Sequence, residues 1–91
     1  MFYYKILDLN NNILGYVTSY NLGYYSQSAN MLLSCTEEFA QYVSFNQQIY
    51  RVPWLHREHI SMKGKYPEIQ MDISSHEEYM EWLEKQNSEQ K

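Results

Sequence analysis

The amino-acid sequence contains little cysteine, proline or glycine, with one, two and three residues respectively out of 91. A single cysteine excludes an intrachain disulfide, so the stability of the fold has to come from packing. Because the three glycines are isolated from one another, the sequence has no glycine-rich phosphate-binding loop.

The longest apolar runs are four residues, far below the roughly 20 that cross a bilayer. The opening MFYYKILDLN alternates as a strand does and does not resemble a secretory signal, which predicts a cytoplasmic protein.

Length and composition predict one small globular domain, residues 1–91. Hydrophobic residues make up 44% of the chain and charged residues 20%, proportions typical of a folded domain with a single core. Tyrosine is the outlier, with ten residues. A tyrosine ring buries a large apolar area while its hydroxyl needs a polar partner, so tyrosines gather at half-exposed surfaces and interfaces. We therefore expect several of the ten to line a surface.

Residues 31–44 and 71–84 are two versions of one phrase, MLLSCTEEFAQYVS and MDISSHEEYMEWLE, spaced forty residues apart. Each version predicts a short strand, a polar cap, an acidic first turn and an amphipathic helix. The first helix is predicted from Glu37 to about Phe45, with Phe39, Tyr42 and Val43 on the face that packs on the sheet. The apolar positions of the second helix that are predicted to be buried are Tyr79, Met80, Trp82 and Leu83. Trp82→Ala is expected to be the most damaging single change, at roughly 3–5 kcal/mol.

The other segments predict further strands joined by loops. Strands are predicted at residues 1–9, 13–18, 49–52 and 68–73, the first two forming a hairpin that turns at three asparagines. Residues 19–30 and 54–67 are predicted to be long surface loops, and residues 86–91 a frayed tail. The predicted fold class is therefore α+β. It consists of a small, largely antiparallel sheet of about five strands, in the order ββ-βα-β-βα, with both helices on one face.

Two surface features predict where a protein partner binds. The first is the segment 19–30, whose mixture of Tyr, Ser, Gly and Asn resembles the composition of antibody recognition loops. Its candidate contact residues are Tyr20, Tyr24 and Tyr25. The alternative is that Leu22 and one or two of these tyrosines fold back on the core. The second is a row of acids on one face of the last helix, Glu77, Glu81 and Glu84. With the net charge of −4, this row could mimic the phosphate charge that a nucleic-acid-binding protein recognises, although its simplest interpretation is a solvated helix face.

Two alternative function classes remain open. Direct nucleic-acid binding is suggested by a basic segment ahead of the acidic helix, in which rings would stack on bases and cations would bind phosphates. Its candidate residues are Arg51, Trp54, Arg57, Lys63, Lys65 and Tyr66. The other class is a self-associating structural component of a phage, in which exposed strand edges and surplus tyrosines supply the contacts.

No arrangement of residues in the sequence predicts an enzyme, a cofactor or a metal site. His56 and His59 form an H-x-x-H pair that, even with Glu58 or His76, lacks the converging ligands of a zinc site. Cys35 precedes a predicted helix start, which would lower the pKa of its thiol, but no base can be assigned to it. We therefore expect Cys35 to be a half-buried structural residue and the chain to be a non-enzymatic binding protein.

The opening YYKILDLNNNILGY and the phrase Thr36-Glu37-Glu38-Phe39 resemble small phage and mobile-element proteins of gut Firmicutes. The resemblance covers about half of the chain and carries no functional motif. It implies a phage-encoded accessory or inhibitory protein, a class that includes anti-CRISPR proteins. The leading hypothesis is thus a protein-binding module that blocks a larger host protein.

Overall fold

The structure, a computed structural model, describes residues 2–55 and 60–89. In chain order its strands are β1 (Tyr3–Leu7), β2 (Ile13–Thr18), β3 (Leu22–Ser26), β4 (Met31–Ser34), β5 (Tyr42–Phe45), β6 (Gln48–Arg51) and β7 (Gln70–Ser74), followed by helix α1 (His76–Glu89). The strands form two antiparallel sheets, the first ordered β2-β1-β7 and the second β4-β3-β5-β6.

The predicted α+β fold class is confirmed. The prediction of about five strands with two helices is wrong, because the described residues form seven strands and one α-helix.

The hairpin of β1 and β2 confirms the first predicted element. The carboxylate of Asp8 holds its turn by accepting hydrogen bonds from the amides of Asn10 and Asn12, at 2.8 and 2.9 Å. These hydrogen bonds, chiefly those from Asn12, lower the pKa of Asp8. Asn11 adopts a positive φ of 69°, which asparagine tolerates better than most residues. The turn therefore fixes the register of the two strands.

Strand β1 lies at the centre of the first sheet, and its two faces have different partners. Tyr4 is 1% exposed and belongs to the core between the sheets. On the opposite face, the ring of Tyr3 packs against that of Tyr79 in α1, with centroids 5.1 Å apart, and Lys5 forms an ion pair with Glu78 at 3.4 Å. Because successive side chains alternate across a strand, β1 both builds the core and positions the helix.

The core lies between the two sheets. Its buried hydrophobic residues are Tyr4, Ile6, Val17, Leu22, Ala40, Val43, Val52, Ile69 and Met71. Four of them belong to the first sheet, and the others belong to the second sheet and the connections. The backbone also joins the sheets, since the amide of Arg51 donates to the carbonyl of Pro67 and the amide of Ile69 donates to the carbonyl of Arg51. The end of β6 is thereby tied to the segment that leads into β7.

The strands predicted at 49–52 and 68–73 correspond to β6 and β7 within two residues. Pro53 follows β6, as expected for a residue that has no amide to donate. In the predicted connection 54–67, the described residues contain one 3-10 turn, Ile60–Met62. Residues 56–59 lie outside the described part of the chain.

The second version of the repeated phrase folds as predicted, with β7 followed by α1. Two pairs could cap this helix, Ser75 with Glu78 or Ser74 with Glu77, and the structure forms the capping box of the first pair, in which each residue binds the amide of the other. The amide of Glu78 donates to Ser75 Oγ at 3.1 Å, and the amide of Ser75 donates to Glu78 Oε1 at 3.4 Å. The bond from the Ser75 amide, together with Lys5, lowers the pKa of Glu78.

Helix α1 packs its aromatic residues on the first sheet. The rings of Tyr79 and Trp82 contact tyrosines of β1 and β2, with centroids 5.1 and 5.8 Å apart. Of the four residues predicted to be buried, Tyr79, Trp82 and Leu83 are half-buried and Met80 is exposed. The helix includes residues 86–89 of the tail that was predicted to fray, and the last two residues lie outside the described range.

The first version of the phrase does not form the helix predicted to begin at Glu37. The chain makes one 3-10 turn, Glu37–Phe39, and then enters β5. Thr36 makes no side-chain capping hydrogen bond that would favour a longer helix. Asn46 and Gln47 adopt positive φ angles of 52° and 64° and form the two-residue turn that pairs β5 with β6. The hairpin therefore replaces the helix.

The 3-10 turn and the hairpin of β5 and β6 bury different residues from those that the predicted helix would bury. Phe39, predicted to pack on the sheet, is 61% exposed. Tyr42 is buried as predicted, but in a strand, where its ring meets the ring of Tyr66 edge-on with centroids 5.4 Å apart. Trp82 is half-buried, whereas Tyr4 and Tyr42 are the largest fully buried side chains. Replacement of these tyrosines, and not of Trp82, is thus expected to be the most damaging.

The segment 19–30 is not the long loop that the sequence predicts. It contains a 3-10 turn, Ser19–Asn21, then β3, and a turn of four residues before β4. Asn30 closes that turn with a φ of 54°. Only Leu22 and Ser26 are buried in β3. Because these positions frame a glycine and two tyrosines, the strand shows no hydrophobic alternation by which it could be recognised.

The close packing of Gly15 generates a stability prediction. A Cβ atom at this position of β2 would lie 2.7 Å from Phe45 Cζ and 3.0 Å from Trp82 Cζ2. Gly15→Ala should therefore lower the free energy of unfolding by about 1–3 kcal/mol, because overpacking forces neighbouring side chains to move. Urea denaturation measures the loss. If the clash with the phenylalanine ring is the cause, the same substitution should cost clearly less in a Phe45→Leu background. An equal loss in both backgrounds would contradict this explanation.

Candidate partner-binding cleft

A cleft of about 770 Å³ opens among segments that flank strands of both sheets. One wall comes from the residue before β1 and the turn after β2, and the other from the segments after β4 and β6. The residues that line it are Phe2, Ser19, Tyr20, Cys35, Thr36, Glu37, Glu38, Trp54 and Leu55. We call this feature the mouth cleft. Its volume lies within the roughly 300–1,000 Å³ that is usual for small binding sites.

Three aromatic side chains from separate segments line the mouth cleft and remain open to solvent. Phe2, Tyr20 and Trp54 are 61%, 76% and 48% exposed. Trp54 is held in place by a hydrogen bond of 2.8 Å from Nε1 to the carbonyl of Met71, in β7. Tyr20 lies in a 3-10 turn that is stabilised by a capping box between Thr18 and Asn21. Two of the three rings are therefore presented from locally fixed backbone or side-chain positions.

The acidic part of the mouth cleft is connected directly to the core. The hydroxyl of the buried Tyr4 donates a hydrogen bond of 2.6 Å to Glu37 Oε2. Burial, followed by the hydrogen bond to Glu37 and the charge of its carboxylate, raises the pKa of Tyr4 well above its usual value. Glu38, the next residue, is exposed at the rim. Among the described residues that line the cleft, two carry a negative charge and none carries a positive charge.

Cys35 lies in the wall of the mouth cleft and is half-buried, as the sequence predicts. The expectation that its thiol pKa would be lowered is wrong, because burial raises it. The predicted helix start is here only a single 3-10 turn, so there is no helix dipole to stabilise a thiolate. At neutral pH the side chain is a protonated, apolar part of the wall.

The predicted tyrosine contacts are only partly brought together. Tyr20 lies in the mouth cleft. Tyr24 and Tyr25 lie in β3 and are half-buried, and the hydroxyl of Tyr25 donates a hydrogen bond to Asn30 Oδ1. The structure therefore does not place these three rings on one loop. Their binding role stays a prediction.

The predicted acidic contacts lie elsewhere on the surface. Glu77, Glu81 and Glu84 are exposed on α1, which packs against the Tyr3 face of the first sheet. The mouth cleft opens beside the Tyr4 face. The acidic row and the cleft thus lie on opposite sides of the same sheet and would contact a partner independently.

Most of the candidate nucleic-acid-binding residues that the structure describes take part in contacts within the chain. Arg51 forms an ion pair of 3.0 Å with Glu68, Tyr66 packs on a buried tyrosine, and Trp54 lines the acidic cleft. Lys63 and Lys65 are exposed. Arg57, together with the H-x-x-H pair and Glu58, lies outside the described residues.

Sequence reasoning missed Phe2, Glu37 and Glu38 as members of a site. Phe2 shares a face of the first predicted strand with Tyr4, because the two residues are two apart, and nothing in that pattern distinguishes it from a core residue. The two acids were interpreted as the first turn of a helix. The sequence contains no signal that brings these three residues together, because the convergence depends on how the two sheets pack.

The part of the chain that the structure describes contains no group of three or more histidine, cysteine, aspartate or glutamate residues that could hold a metal ion. No helix in the same residues is long and apolar enough to span a membrane. Comparison of the chain with protein-family models, with curated proteins and with solved structures gave no significant match.

The hydrogen bond between Tyr4 and Glu37 generates a prediction about pH. Because folding raises the pKa of Tyr4 above the unfolded value of about 10, its contribution to stability is complete below pH 10 and is lost as the pH rises further. Tyr4→Phe should lower the free energy of unfolding by about 1.5–3 kcal/mol at pH 8. Urea denaturation should show this difference shrinking between pH 10 and 11. A difference that stays constant up to pH 11 would show that the hydroxyl does not have this role.

Proposed function

We propose that this chain is a non-enzymatic protein-binding module that uses the mouth cleft as its main contact surface. The observation that carries the proposal is the convergence of three exposed aromatic rings, from three separate segments, on one cleft. Exposed apolar groups scattered singly are usual on a protein surface, whereas a cluster rimmed by polar residues is typical of an interaction site.

The rings have the properties of interface anchors. Aromatic residues are enriched at protein interfaces, and a few of them commonly supply most of the binding free energy. A side chain that is already fixed in the free protein loses little entropy on binding. The hydrogen bond from Trp54 Nε1 to the carbonyl of Met71 provides such preorganisation.

In this proposal the chain is an accessory or inhibitor protein of a phage or mobile element, and its target is a larger host protein. The resemblance of its opening and its T-E-E-F phrase to such proteins is what supports this origin. Binding through a cleft requires no catalytic group of its own. Glu77, Glu81 and Glu84 would form a second contact, independent of the cleft.

Quantitative pull-down from a lysate of a gut Firmicute tests the proposal. Phe2→Ala with Tyr20→Ala removes two rings that are each more than 60% exposed, so the fold should be retained, which circular dichroism can verify. We expect the capture of specific partners to fall at least about tenfold, because each truncated anchor typically costs more than 1 kcal/mol of binding free energy.

The matched control is Leu9→Ala with Ile13→Ala. These side chains are 65% and 55% exposed and lie at the hairpin end of β1 and β2, about 20 Å along the strands from Phe2. The control should capture the same partners as the wild type. The proposal fails if the cleft variant retains every partner, if the control loses them equally, or if the wild type captures no specific protein.

A further inference from the structure

We infer that the mouth cleft accepts an arginine side chain from the partner, a conclusion that rests on the proposed protein-binding function. The cleft combines three aromatic rings with the carboxylates of Glu37 and Glu38. A guanidinium group fits both parts, because it stacks on aromatic faces and donates paired hydrogen bonds to a carboxylate. This inference names the chemical class of the ligand, which the proposal of a binding surface leaves open.

The charge of the cleft selects a cation. Neither Glu37 nor Glu38 forms an ion pair with any basic residue in the described part of the chain. An anionic group would meet two like charges, and a purely apolar group would remove water from the carboxylates without replacing its hydrogen bonds. A cation would compensate the charge that the cleft already carries.

The geometry of Glu37 favours a directional donor. One carboxylate oxygen, Oε2, is held at 2.6 Å by the hydroxyl of the buried Tyr4. This bond restrains the orientation of the carboxylate, and Oε1 accepts no hydrogen bond from the described residues. A planar guanidinium can donate to that oxygen while its face lies on a ring. The aliphatic stem of the arginine would lie along the apolar wall formed by Cys35 and Leu55.

The two tryptophans allow a direct test, because Trp54 lines the mouth cleft and Trp82 packs between α1 and β2. The protein is labelled with 5-fluorotryptophan, and Trp82→Phe assigns the two fluorine resonances. The probes are acetyl-Leu-Arg-Leu-amide and the same tripeptide with citrulline, which keeps the shape of arginine but lacks its charge. Acetyl-Leu-Lys-Leu-amide shows whether any cation suffices.

We expect the arginine tripeptide to shift the Trp54 resonance in a saturable manner and to leave the Trp82 resonance in place. The citrulline tripeptide should bind about tenfold more weakly than the arginine tripeptide. The affinity of the lysine tripeptide should lie between those of the other two. The double variant Glu37→Gln, Glu38→Gln keeps an acceptor for the Tyr4 hydroxyl. It should bind the arginine tripeptide only as weakly as the wild type binds the citrulline tripeptide. Equal binding of the arginine and citrulline tripeptides, or unchanged arginine binding by the double variant, would overturn the inference.

Failure of this inference can be distinguished from failure of the proposed function. If the pull-down partner depends on Phe2 and Tyr20 but not on the two carboxylates, the cleft is a binding surface for a group other than arginine. If the arginine tripeptide binds as expected but no lysate protein depends on the cleft, the ligand chemistry is correct and the proposed function is wrong.

Discussion

The alternation of side chains along β1 is the constraint on which the rest of the structure depends. Tyr4 and Ile6 point into the core at 1% and 0% exposure, while Tyr3 and Lys5 contact α1 through a ring pair and an ion pair. A slip of one residue would exchange these faces, exposing the core residues and separating the helix from the sheet. The Asp8 turn and the pairing of β1 with both β2 and β7 prevent such a slip.

The mouth cleft is a consequence of the same arrangement. Tyr4 extends from the core strand of the first sheet to Glu37 in the turn that follows β4 of the second sheet. That hydrogen bond joins the core to the acidic part of the cleft, which the exposed rings of Phe2, Tyr20 and Trp54 also line. Glu37 is therefore held by a residue of the core, and Trp54 is held by its hydrogen bond to the carbonyl of Met71. Such preorganisation lowers the entropic cost of binding.

Local sequence signals predicted the turn and the helix start that local hydrogen bonds stabilise, and failed where the local pattern did not distinguish a helix or a loop from a strand. The asparagine hairpin and the capping box of Ser75 and Glu78 are correct because their hydrogen bonds join residues a few positions apart. The first version of the repeated phrase has a similar polar cap and acidic first turn but gave a wrong helix, because Asn46 and Gln47 form the turn that pairs β5 with β6. Strand β3 was missed because its buried positions show no hydrophobic alternation. The mouth cleft was missed because it depends on how distant segments of the chain come together. The composition of segment 19–30 was enough to predict Tyr20 as a contact residue. No feature of the sequence identifies Glu37 as part of the same site.

Alkylation of Cys35 measures occupancy of the mouth cleft most directly, since this residue is the only cysteine and lines the cleft wall. The rate is followed by mass spectrometry with iodoacetamide at about pH 8.5, for the free protein and for its complex with the captured partner, because burial raises the thiol pKa. Cys35→Ser with Leu9→Cys moves the thiol to the hairpin end as a control. We predict that binding slows alkylation of Cys35 about fivefold or more while the control thiol reacts at an unchanged rate. Equal rates for Cys35 in the free protein and the complex would show that the partner binds elsewhere.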